Sequence, residues 1–102
     1  MTIIKCLVAM IDDELEGAEN YALSAIKYRA DHKKTADEFI KLAEVEMTHA
    51  KTLHGEVARL IDERRLVEEP PAPMMAIYEY EHEKQIKRAA SIKTLIEEYK
   101  TM

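Results

Sequence analysis

The stretch Phe39-Ile40-Lys41-Leu42-Ala43-Glu44-Val45-Glu46-Met47-Thr48-His49-Ala50 reads as the middle of a long helix with a carboxylate at the centre of its apolar stripe. Carried on to residue 60, the stripe is Phe39, Ala43, Glu46, Ala50, Leu53, Val57 and Leu60, at alternating steps of four and three. Every member except Glu46 is apolar. A bare carboxylate in a bundle core costs several kcal/mol unless it is paired, protonated or bound to metal. His49 follows one turn on, so Glu46-Met47-Thr48-His49 has the Glu-x-x-His form by which one helix offers a carboxylate and an imidazole to one ion. The competing reading is a glutamate held in an ion pair or at an interface, because the pattern recurs by chance in charged helices.

Working outward, helix 2 is predicted over about residues 35–66. Its start is expected at Thr35-Ala36-Asp37-Glu38, which fits a capping box with Thr35 as N-cap and Glu38 at N3. Gly55, mid-helix, hints at a close helix contact. Helix 1 is predicted over about residues 3–30, with Ile4, Val8, Ile11, Leu15, Ala18, Ala22, Ala25 and Arg29 along one line. The short polar break Asp31-His32-Lys33-Lys34 makes the two an antiparallel pair. Residues 68–73 contain Pro70, Pro71 and Pro73 and read as an extended linker. Helix 3 is predicted over about residues 74–100, with Pro73 as its first residue.

The chain has 102 residues, enough for one domain, and the expectation is a single all-α domain over residues 1–102. Two Gly and three Pro leave little material for the turns of an all-β fold, and 47% hydrophobic with 34% charged residues is too apolar for disorder. A net charge of −5 argues against nucleic acid as the main partner. One cysteine, Cys6, cannot form an intrachain disulfide, which suggests a reducing compartment. The apolar run from Ile3 to Ile11 is broken by Lys5, lacks a basic leader and is too short to span a bilayer. A cytoplasmic protein without a membrane segment is therefore expected.

A metal site at Glu46 needs a carboxylate from the facing helix. With the turn centred near His32-Lys33, Glu19 lies about 13 residues before it and Glu46 about 13 after, so equal rise brings them level. Glu16 lies one turn further from the loop and is turned toward the polar face, which makes it an alternative ligand or a support to the site. Either could instead be a solvated member of the acidic run Asp12, Asp13, Glu14, Glu16 and Glu19. Helix 3 carries a second Glu-x-x-His, Glu79-Tyr80-Glu81-His82, expected to stay apart from Glu46 if that helix folds straight back. His54 reads as a core-edge histidine.

A glutamate on helix 1, a short turn, then Glu46-x-x-His49 followed by Ala50 and Leu53 resembles half of a ferritin-like di-iron bundle. Ala43-Glu44-Val45-Glu46-Met47-Thr48-His49-Ala50 is similar to the second ligand helix of rubrerythrins and encapsulated ferritins. The resemblance covers about residues 10–60 and holds only one half-site. It implies a hairpin completed by homo-oligomerisation about a two-fold axis, the doubled set giving four carboxylates and two imidazoles for two ions. It further implies that Glu46 bridges, Glu19 caps and His49 is the nitrogen ligand. Iron is the implied metal, with manganese less favoured, and Fe(II) oxidation by O₂ in storage or detoxification the implied activity. An encapsulating shell is a possible partner that no evident targeting peptide supports. The rubredoxin-type cysteines of a rubrerythrin oxidoreductase are absent. The rival expectation is a non-enzymatic helical interaction protein that assembles through its stripes and holds no metal.

Overall fold

A computed structural model describes residues 2–102. It contains three helices, α1 (Thr2–Tyr28), α2 (Lys33–Arg65) and α3 (Ala72–Thr101), and no strand among the described residues. At about 1.5 Å per residue the 33 residues of α2 span about 50 Å, which sets the long dimension of a body 55 × 18 × 17 Å. Among the described residues no helix is long and apolar enough to cross a membrane.

The α1 stripe forms the core seam. Ile4, Ile11, Leu15, Ala18, Ala22 and Ala25 are all buried. Three of them are alanines, which lets α2 approach closely along the half nearest the turn. From α2 come Ala36, Ile40, Ala43, Ala50, Val57 and Ile61. Phe39, Leu53 and Leu60 of the expected stripe are only partly buried, so the core line of α2 is rotated toward Ala36, Ile40 and Ile61.

The helix boundary before Thr35 differs from expectation, with consequences for the site. α2 begins at Lys33, His32 is the N-cap, and no side chain caps the helix. The Thr35–Glu38 capping box does not form. Starting two residues earlier puts Ala36 in line with Ile40 and Ala43, all fully or nearly buried. It also lets Lys33 Nζ reach Asp37 Oδ1 at 3.1 Å within the first turn. The turn is thus only Arg29–His32, closed by His32 N donating to Tyr28 O at 2.8 Å. Its centre moves about two residues toward the N-terminus, which slides the facing register by about four residues.

At the other end, Pro71 is the N-cap of α3 and Pro73 sits in its first turn, where a missing N–H costs nothing. α3 then folds straight back along the hairpin, packing mainly on α1 and only sparingly on α2. Buried Gln85 fastens it by donating to Val8 O (3.2 Å) and Asp12 Oδ1 (3.0 Å). At its C-terminal end, the Tyr99 hydroxyl donates to Asp37, and Arg29 Nη2 donates to Met102 O at 2.9 Å. Gly55 has nothing within 4 Å of where a Cβ would stand, so it marks no close helix contact.

Candidate metal centre

With the register set by the shorter turn, Glu46 comes level with the stretch of α1 between Glu14 and Gly17. Gly17 has no side chain, and the Glu46 carboxylate occupies the space over it, 3.3 Å from where a Cβ would be. Glu14, one turn before Gly17 on the same side of α1, meets His49 with Oε2 3.3 Å from Nδ1. The ligand atoms of Glu14, Glu46 and His49 all lie within 4.8 Å of one another. Two atoms that each bind an ion at about 2.2 Å stand at most about 4.4 Å apart, so small rotations of these side chains would close the group on one cation.

The electrostatics also favour a cation. The Glu46 carboxyl is held above its ordinary value of 4.5, first because its protonated form hydrogen-bonds Glu14, then because of burial and the negative charge of Glu14; His49 pulls the other way. Two carboxylates in contact cannot both be ionised without cost. A proton or a cation between them relieves that cost. The donor set, two hard oxygens and one imidazole with no thiolate, fits iron or manganese.

Of the residues proposed from the sequence, the structure brings Glu46 and His49 together. Glu19 lies outside the group. It is on the far side of α1, about half a turn round from Glu14 and Gly17, and its Oε1 stands 3.7 Å from Arg88 Nη2 of α3. Its expected level with Glu46 is corrected by the shorter turn and its expected facing by the helix phase. Glu16 is exposed and also outside the group. Glu14 is the residue that sequence reasoning missed. The available signal was Gly17, a mid-helix glycine that leaves room for a facing side chain, although Gly55 shows that such a glycine need not have a close neighbour.

The second Glu-x-x-His does not join the centre. Glu79 is exposed, Glu81 pairs with Lys84 at 3.7 Å, and the His82 ring stacks on His54 with centroids 4.5 Å apart.

Around these three side chains the hairpin presents a face turned away from α3. The rings of Tyr21 and Phe39 stack across it at 6.2 Å, on the side toward the turn. Met10 and Leu42 are 46% and 41% exposed on the same face. A search among known proteins finds no matching family model, no similar curated protein and no matching solved structure, so the chemistry of this centre is read from Glu14, Glu46 and His49 themselves.

Proposed function

We propose that the chain is a ferritin-like iron protein whose half-site of Glu14, Glu46 and His49 is completed by a second copy across this face, and that it oxidises Fe(II) with O₂. The observation that carries the reading is the convergence of two carboxylates and an imidazole from two different helices. A two-fold axis beside Gly17 would double them to four carboxylates and two imidazoles, the complement of a carboxylate-rich di-iron site. The partly exposed apolar side chains of Met10 and Leu42 and the Tyr21–Phe39 pair would be covered by the same contact.

In this proposal Glu14 and Glu46 hold the metal as anions and His49 adds a neutral nitrogen. Glu46 releases its proton as the ion arrives, so binding tightens as pH rises through its titration. If bound, iron would supply the one-electron redox chemistry toward O₂, and Glu14, Glu46 and His49 would hold it. Glu46→Ala and His49→Ala should abolish Fe(II) binding and O₂-dependent Fe(III) formation with helix content unchanged. Wild-type oxidation rates in both variants would exclude this centre. A second reading has one observation in its favour: Glu46, Glu14 and His49 already close a hydrogen-bonded network without metal. The centre would then be a structural element of a metal-free interaction protein, and the same variants would change assembly while no iron bound.

A further inference from the structure

On the side of the hairpin away from the Glu14 centre, α2 and α3 stand apart and leave a groove of about 570 Å³. Its floor is Ile11 and Leu15 of α1, and its walls include Ala50 of α2 and Ile86 and Ala89 of α3. One end is shut by the parallel rings of His54 and His82, 4.5 Å apart and 5° from coplanar, with Tyr78 stacked on His82 at 5.8 Å. Further along α3, Ile92, Ile96 and Tyr99 are buried and the Tyr99 hydroxyl donates to Asp37.

The rim is unlike the rest of the molecule. The chain has 20 acidic against 15 basic residues, yet the groove is lined by Lys51, Lys93, His54 and His82 and by no carboxylate. Among the described residues four of the ten lysines, Lys33, Lys41, Lys84 and Lys100, pair with carboxylates. Lys51 and Lys93 have no ion pair among the described residues, although one stands on each wall. An apolar floor between two uncommitted ammonium groups is complementary to a molecule with an alkyl body and an anionic head.

We infer that this groove binds a small alkyl carboxylate, its chain lying on Ile11, Leu15 and Ile86 and its head between Lys51 and Lys93. The volume falls in the range of about 300–1,000 Å³ usual for small-ligand sites. A partner helix about 10–12 Å across would have to break the His54–His82 stack that bridges both walls, which favours a small molecule over a peptide. The body would rest on side chains of α1 and α3, so the ligand would also clamp α3 to the hairpin.

The test is calorimetric titration of the full chain with octanoate and with its uncharged analogue octanamide, followed by proton resonances of the His54 and His82 rings. One octanoate per chain should bind, about tenfold or more tighter than octanamide, and shift both histidine resonances. The double variant Lys51→Glu/Lys93→Glu, changed only at exposed positions, should lose about tenfold or more in octanoate affinity and keep its helix content and Fe(II) binding. Equal affinity for octanamide, an unaffected double variant, no saturable binding, or binding that leaves both histidines unmoved would each overturn the assignment. Loss of iron binding by Glu46→Ala leaves this result untouched, so the two proposals fail separately.

Discussion

A Cβ added to Gly17 would stand 3.3 Å from Glu46 Oε2, so the one glycine of α1 lies directly beneath the carboxylate at the centre of the α2 stripe. Glycine inside a helix costs up to about 1 kcal/mol relative to alanine, and here the missing side chain is the room that Glu46 uses. Gly17→Ala should therefore weaken Fe(II) binding by pushing Glu46 off its position. The metal-free protein should gain less from it than from Gly55→Ala, which meets no neighbour and should add up to about 1 kcal/mol. Urea denaturation and metal titration of the two variants side by side would show whether the glycine serves the site. Identical behaviour would mean that it does not.

The raised titration of Glu46 gives the metal-free protein a pH dependence of definite sign. A folded value above the unfolded one means that the native state binds more protons between the two, so stability is full below about 4.5 and falls as pH rises through the folded value. Glu46→Gln should flatten that fall and leave the metal-free protein more stable at neutral pH. Chemical denaturation from pH 4 to 8, monitored by circular dichroism, measures it. A wild type whose stability rises through this range with the same slope as the variant would contradict the Glu14–Glu46 contact.

His54 should act in the opposite sense. Burial, and then the charge of His82 stacked on it, hold its titration below the usual 6.5. The folded state therefore binds fewer protons, and its contribution is present above about 6.5 and lost as pH falls through the lowered value. Replacing His82 with Gln should bring the His54 titration, followed by nuclear magnetic resonance, part of the way back toward 6.5. Burial should account for the remainder.

Gln85 is 7% exposed and gives both its amide hydrogen bonds to α1. Gln85→Ala should cost about 1–2 kcal/mol through the lost bonds and packing. The loss should appear first as faster hydrogen exchange in α3, because α3 has little packing on α2 to hold it. Uniform acceleration across α1 and α2 would show instead that the three helices unfold as one unit.

The helices themselves were legible, because a stripe such as Ile11, Leu15, Ala18, Ala22 and Ala25 repeats without ambiguity and the proline cluster marks the linker between α2 and α3. Glu46 stood out for the same reason, as the lone polar member of an apolar line. The register was not legible. It hung on where α2 begins, and Thr35 with Glu38 looks like a start signal although Lys33 and buried Ala36 extend the helix past it. A two-residue error at a turn becomes about four residues across a hairpin, enough to point to Glu19 where Glu14 stands. Nor could the phase of α1 be read closely, since its acidic residues lie on every side of the helix. The Arg88 partner that takes Glu19 toward α3 comes from a helix whose placement the sequence does not specify.

The central claim is that Glu14, Glu46 and His49 form half of a two-fold iron site. Its most direct test is an anaerobic Fe(II) titration combined with sedimentation velocity on the same sample. The predicted result is one iron per chain with saturation at micromolar metal, in a species of at least two chains. Glu14→Gln should lose that binding as fully as Glu46→Gln, and Glu19→Gln should keep it. A monomer that binds no iron, or binding that survives Glu14→Gln but not Glu19→Gln, would contradict it.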